Sequence, residues 1–189
     1  MKYLVKNIND YSDDFIFSFY ELIYKEKRNK IDKLLDFSEK KKSIIAEIML
    51  KDLLLDYDIE YEQCSFKVSD NGKPYISNYD IYFSISHSKN YIAVCVSKNN
   101  IGIDIEDQKE IDNSILDYII TKEEKKFIKS NNSFLILFTL KEAYIKLNDL
   151  NITGLKDISV VKDNRLFIDN CNIYNMINNN YCLSICEKK

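Results

Sequence analysis

The sequence predicts an α+β fold, and three observations predict it. Ser43–Leu55 carries apolar residues at helical spacing, and Ser133–Leu147 reads as a second, largely buried helix. Short runs rich in Ile, Val, Tyr and Phe lie between turn residues at Asp70–Pro74, Asn99–Asn100 and Asp163–Asn164, as strands with tight connections do. Helices and strands do not alternate regularly, which argues against a parallel α/β sheet.

Taken in order, the chain opens on a short strand, followed by an aromatic stretch from Phe15 to Tyr24. From Tyr24 to Ser43 eight Lys or Arg residues face four acids, a local excess of about four positive charges. The Ser43–Leu55 helix comes next, then the turn cluster with the single proline, Pro74. Ile81–Ser86 and Tyr91–Ser97 read as strands, and Asn99–Asn100 as a hairpin turn into Ile101–Glu106. A helix begins near Thr121, where Thr-x-Glu-Glu resembles an N-cap with acids in the first turn. After the Ser133–Leu147 helix, strands are expected at Ile158–Lys162, Arg165–Ile168 and Tyr181–Cys186.

Composition narrows the class further. With 189 residues, 46% hydrophobic and 30% charged, the chain suits one medium domain or two small ones packed together. Three glycines and one proline exclude collagenous and linker-rich classes, and 14 Tyr with 10 Phe supply buried area that disordered chains lack. A net charge of −3 offers no global field for nucleic acid or an anionic membrane, so neither is expected as a partner. The opening residues show no signal-peptide core and apolar runs such as Phe134–Phe138 are too short to span a bilayer, so a cytoplasmic location is expected. The five cysteines, at 64, 95, 171, 182 and 186, lack zinc-site spacing and read as small core residues in a reduced compartment.

Four segments could carry chemistry. In Ile101-Gly102-Ile103-Asp104-Ile105-Glu106 the strand period puts three isoleucines on one face and Gly102, Asp104 and Glu106 on the other. Two carboxylates about 7 Å apart beside a glycine can chelate a hard divalent cation, or simply line a solvated face. On the Ser133–Leu147 helix, Lys141, Glu142 and Lys146 fall within an arc of about 140° as one polar stripe. Such charges on a mostly buried helix are costly without partners, which favours a functional site over a plain i,i+4 ion pair. His87, the one histidine, lies among serines (Ile85-Ser86-His87-Ser88) where hydroxyls and imidazole could meet a phosphate. The basic 25–42 segment is either a solvated face or a contact for phosphate or an acidic partner.

These elements together resemble the 4′-phosphopantetheinyl transferases of the Sfp type. That family has a strand (Val/Ile)-Gly-(Ile/Val)-Asp-x-Glu followed by a helix (Phe/Trp)-(Ser/Thr/Cys)-x-Lys-Glu-(Ala/Ser)-x-x-Lys. Here they stand as Ile101–Glu106 and Phe138-Thr139-Leu140-Lys141-Glu142-Ala143-Tyr144-Ile145-Lys146. Asn71-Gly72-Lys73-Pro74 and Phe83-Ser84-Ile85-Ser86-His87-Ser88 are similar to two upstream family elements, in the same order. The likeness runs from about Arg28 to Leu155.

The resemblance implies two pseudo-symmetric α+β halves, 1–100 and 101–189, with the active site in the cleft between them. It implies transfer of the phosphopantetheine arm of coenzyme A to a serine of an apo acyl or peptidyl carrier protein, releasing adenosine 3′,5′-bisphosphate, by a monomer that uses Mg2+. Asp104, Glu106 and Glu142 would hold the metal, and Glu142, or a water on the magnesium ion, would take the serine proton. Lys141 and Lys146 would contact the diphosphate. Lys73, Pro74, Ser86 and His87 would hold the adenine and 3′-phosphate end, with Lys42 and Arg28 as further phosphate contacts. The sequence departs from the family in two places. Thirty-three residues separate Asp104 from Phe138, where the family usually has about forty, and Leu150–Leu155 keeps one glycine of the family's Gly-x-Gly-Leu turn. A coenzyme A-binding scaffold without activity and a Mg2+-dependent phosphohydrolase are the alternatives.

Overall fold

The order of elements repeats once along the chain. The computed structural model describes residues 1–108 and 116–189, with the backbone alone at 116, 117 and 152–154. The first round runs β1 (Lys2–Asn7), α1 (Asp13–Phe19), α2 (Lys25–Asp32), α3 (Phe37–Leu55), β2 (Phe66–Val68), β3 (Pro74–Ile76), β4 (Tyr82–Ser88) and β5 (Tyr91–Ser97). The second runs β6 (Ile101–Asp107), α4 (Leu116–Ile119), α5 (Lys122–Phe127), α6 (Asn131–Asn148), β7 (Val161–Lys162), β8 (Arg165–Leu166), β9 (Cys171–Ile177) and β10 (Tyr181–Lys188). Each round makes a three-stranded antiparallel sheet whose last strand lies in the middle, β1-β5-β4 and β6-β10-β9. Each sheet carries one long helix, α3 against β5 and α6 against β6 and β10. This is the α+β class that the sequence predicts, in the two pseudo-symmetric halves that the family resemblance implies.

Helix α3 begins six residues before the predicted Ser43. Its cap is Asp36, whose carboxylate accepts the Glu39 N–H at 3.0 Å. The first turns, Phe-Ser-Glu-Lys-Lys-Lys, are mostly polar and carry no apolar period to read. From Ile44 to Leu50 every residue is buried, because α1 and α2 cover the side that β5 does not. Helix α5 has the expected start, a reciprocal capping box between Thr121 and Glu124.

Asn99–Asn100 is not a hairpin turn. β6 leaves β5 and pairs instead with β10, placing Asp104 opposite Ser184 and Glu106 opposite Cys182. The Asn100 side chain donates to the Leu147 carbonyl at 2.8 Å, so the dipeptide carries the chain from one sheet to the other and ties the crossing to the end of α6. Strand β9 was not predicted. Tyr174, Asn175 and Met176 are all exposed, so it lacks the in–out alternation that marks a half-buried strand. The expected strand Ile158–Lys162 is confined to β7 and Arg165–Ile168 to β8, joined at Asp163–Asn164 with both residues left-handed (φ 51° and 59°).

The isoleucines of β6 pack inward as the strand period predicts. Ile101, Ile103 and Ile105 join Ala93 and Cys95 of β5 and Leu183 and Ile185 of β10 in an apolar layer. The opposite face of β6 receives α6. A Cβ on Gly102 would lie 2.0 Å from the Ala143 carbonyl oxygen, so the space beside the two acids is taken by the helix backbone rather than left open. Among the described residues no helix is long and apolar enough to cross a membrane. All five cysteines are free thiols, four of them buried.

Candidate active site

Strand β4 meets the outer edge of β6 through side chains. Its alternate residues Ser84, Ser86 and Ser88 point at that edge, and their hydroxyls accept the N–H groups of Ile103 (3.2 Å), Ile105 (3.4 Å) and Asp107 (3.2 Å). The same hydroxyls reach the acids of β6. Ser86 Oγ donates to Asp104 Oδ1 at 2.7 Å, and Ser88 Oγ lies 2.8 Å from Glu106 Oε2. The Ser-x-Ser-x-Ser pattern thus joins the two sheets where the carboxylates emerge.

Helix α6, admitted by Gly102, brings two side chains to the same place. Lys146 Nζ donates to Asp104 Oδ1 at 2.7 Å and to Ser86 Oγ at 2.8 Å. Glu142, one turn earlier, is buried, and its carboxyl is pushed up to about 7 by burial and by the charge of Asp104, with Lys146 opposing and Glu106 adding. Burial likewise raises Asp104, against the pull of Lys146 and Ser86.

Asp104 Oδ2 and Glu142 Oε1 are buried with no hydrogen-bond partner among the described residues. Two carboxylate oxygens left bare in this way are costly unless something positive meets them. No group of three carboxylate, imidazole or thiolate residues among the described residues converges into a ready-made metal cage. Mg2+ does not need one, since it commonly takes one or two carboxylates and completes its shell with water and substrate phosphate oxygens. Asp104 and Glu142 fit such an ion, and Glu106 stands beside them with Oε2 on Ser88.

A basic group lies next to this site. His87 Nδ1 is 3.9 Å from Glu39 Oε2, and Glu39 Oε1 accepts from the Lys42 ammonium. The imidazole is held below its ordinary value by burial and by the fields of Lys42, Lys146 and Lys27, with Glu39 opposing. A cleft of about 250 Å³ opens alongside, lined among others by Asn71, Lys73, Pro74, Lys146 and Leu150. Lys73 Nζ, from the turn before β3, donates there to the Asn100 side chain (3.4 Å) and to the carbonyls of Ile101 (3.4 Å) and Leu147 (3.3 Å), and burial lowers its pKa.

Comparison with known proteins bears on both halves. Residues 10–99 match the family described as "4′-phosphopantetheinyl transferase, N-terminal", and residues 100–186 match the "4′-phosphopantetheinyl transferase superfamily". The chain belongs to this superfamily. It is 30% identical over 131 residues to the 4′-phosphopantetheinyl transferase gsp of Aneurinibacillus migulanus, covering 66% of this chain and 55% of that one. It is 27% identical to psf-1 of Bacillus pumilus (68% and 58% covered) and 26% identical to Sfp of Bacillus subtilis strain 168 (68% and 61%), both also named 4′-phosphopantetheinyl transferases. The chain therefore spans a little over half the length of these relatives.

Several residues expected from the phosphopantetheinyl transferase pattern stand elsewhere. Lys141 does not reach the cleft. Its ammonium is sealed from solvent and donates to Glu124 (2.6 Å) and to the carbonyls of Ile119 (2.6 Å) and Leu155 (3.0 Å), which uses all three protons. The polar stripe of α6 therefore splits, with Lys141 turned toward α5 while Glu142 and Lys146 turn toward β6. Ser86 spends its hydroxyl on Asp104 and Lys146 rather than on the open cleft. Arg28 pairs with Glu21 at 2.8 Å near the Tyr20 ring and does not join the group around His87. Lys27 does, and sequence reasoning passed over it. It lies four residues from both Ile23 and Ile31, each 2% exposed, and that spacing marks the inward face of α2. The part of the Asp104–Phe138 connector at 109–115 lies outside the described residues.

Proposed function

We propose that the protein transfers the 4′-phosphopantetheine arm of coenzyme A to a serine of an apo acyl or peptidyl carrier protein, with Mg2+ as cofactor and adenosine 3′,5′-bisphosphate released. One observation carries the reading: the buried, unpartnered oxygens of Asp104 and Glu142 beside the Lys146 ammonium at the cleft wall. Family membership and the names of the relatives support the reaction.

Asp104 and Glu142 would hold the cation, with Glu106 beside them. Bound there, Mg2+ offsets the charge of the diphosphate and of the leaving phosphate. Lys146, partly exposed on the same cleft, adds a mobile positive charge for the diphosphate. Glu142, or a water beside it, would take the serine proton. His87 with Lys42 and Lys27 would meet the 3′-phosphate, and Lys73 and Pro74 would line the nucleotide end. Residues 1–100 would then supply nucleotide contacts, and 101–189 the acids and the carrier side. The protein would act as a cytoplasmic monomer without nucleic acid or membrane partners.

The test is intact-mass measurement of an apo carrier protein incubated with the enzyme, coenzyme A and Mg2+. A gain of one phosphopantetheine, lost with EDTA, is the expected result. Coenzyme A binding with no gain on fatty-acid, peptidyl and polyketide carriers alike would replace the reading with a scaffold. Phosphate release without any carrier would replace it with a phosphohydrolase.

A further inference from the structure

Resting on the cation reading above, we propose that Ser86 is a positioning residue for the metal site, anchoring Asp104 Oδ1 so that Oδ2 stays free for the ion. The hydroxyl has one proton and two lone pairs, and the structure assigns each. The proton goes to Asp104 Oδ1 at 2.7 Å, and the lone pairs accept from Lys146 Nζ (2.8 Å) and the Ile105 N–H (3.4 Å). Asp104 Oδ1 is thereby held twice, by Ser86 and by Lys146, while Oδ2 has no partner among the described residues. A carboxylate tethered through one oxygen cannot rotate the other away without breaking both bonds. Carboxylate ligands are commonly fixed in this way, and loss of such a partner weakens metal binding roughly 10–100-fold.

The ladder contains its own control. Ser84 accepts the Ile103 N–H at 3.2 Å, one rung away, so it shares the sheet-joining duty of Ser86 but has no hydrogen bond to a carboxylate of β6. Replacing Ser84 removes a rung alone, whereas replacing Ser86 removes a rung and an anchor.

The experiment measures Mn2+ binding by electron paramagnetic resonance to the full chain in saturating coenzyme A, without carrier protein, together with the melting temperature in EDTA. Both Ser84→Ala and Ser86→Ala are expected to lower the melting temperature, Ser86→Ala more because it removes three hydrogen bonds rather than one, so Mn2+ binding is read below both melting temperatures. Ser86→Ala alone is expected to weaken Mn2+ binding at least tenfold, Ser84→Ala leaves it within twofold of the parent, and Ser86→Thr restores it. Where Ser86→Ala does not fold, Ser86→Cys, similar in size but a poor donor, carries the same comparison. Parental Mn2+ affinity in Ser86→Ala, or in Ser86→Cys where that variant is used, or an equal loss in Ser84→Ala, overturns the anchoring role while leaving the cation reading intact. A parent protein that binds no Mn2+ overturns both.

Discussion

The Lys141 ammonium and the Glu124 carboxylate lie 2.6 Å apart, and both side chains are fully shielded from solvent. Glu124 also accepts the N–H groups of Thr121 (2.7 Å) and Val160 (3.0 Å), so one ion pair fastens α5, α6 and the approach to β7 together.

Removing one partner of such a pair leaves the other buried and uncompensated, a loss of roughly 3–5 kcal/mol. Lys141→Met is therefore expected to lower the melting temperature sharply, and Lys141→Met with Glu124→Leu to recover part of the loss. Below its melting temperature, Lys141→Met should keep the parental KM for coenzyme A, because the ammonium does not face the cleft. Thermal denaturation and steady-state kinetics on the same preparations check both statements.

Glu142 predicts a conflict between stability and function. Its unfolded carboxyl titrates near 4.5 and its folded one near 7, so between these values the native state holds the extra proton. Stability therefore falls as pH rises across that window, and above it the ionised, metal-free carboxylate costs about 3 kcal/mol. Glu142→Gln should raise the melting temperature in EDTA at pH 8, do little at pH 5, and abolish transfer at either pH. An unchanged melting temperature at pH 8 would contradict the burial described here.

His87 titrates in the opposite sense. Its folded pKa lies below the ordinary 6.5, so the unfolded chain binds the proton first and stability is lost as pH falls below 6.5. Relative to the parent, His87→Gln should therefore gain melting temperature as pH falls from 6.5 to 5. It should also raise the KM for coenzyme A more than it lowers kcat, and an unchanged KM would remove His87 from the phosphate site.

Gly102 tests the packing that assembles the site. With the Ala143 carbonyl 2.0 Å from a built Cβ, Gly102→Ala must push α6 off β6, at a cost of about 3 kcal/mol or more. Because Glu142 and Lys146 ride on α6, transfer activity should fall along with the melting temperature. Retention of both in Gly102→Ala would show that the helix can yield there.

What could be read in advance was what depends on local periodicity. The alternation of Ile101–Glu106 separates core isoleucines from acids under any pairing partner, so the Asp104 face was legible before β10 was known as the neighbour. The partner itself was not, because Asn99–Asn100 suits a tight hairpin as well as a crossing between sheets, and only the distant residues of β10 decide. The polar stripe of α6 failed for a related reason. Lys141 lies 100° from Glu142 around the helix, near enough to look like one face, but α5 supplies a buried Glu124 on one side and β6 supplies Asp104 on the other. Lys27 and Arg28 differ by a single residue, and the apolar spacing from Ile23 to Ile31 separates them where their shared charge does not.

The hydroxyl rungs between β4 and β6 have a consequence for how such a molecule can change. Backbone pairing within a sheet is indifferent to which side chains the strands carry, so substitution barely adjusts it. A joint spelled in serines can be loosened or tightened one letter at a time while each sheet keeps its register. The separation of the two halves, and with it the width of the cleft they enclose, is thus open to gradual tuning by single codons rather than by rebuilding the fold.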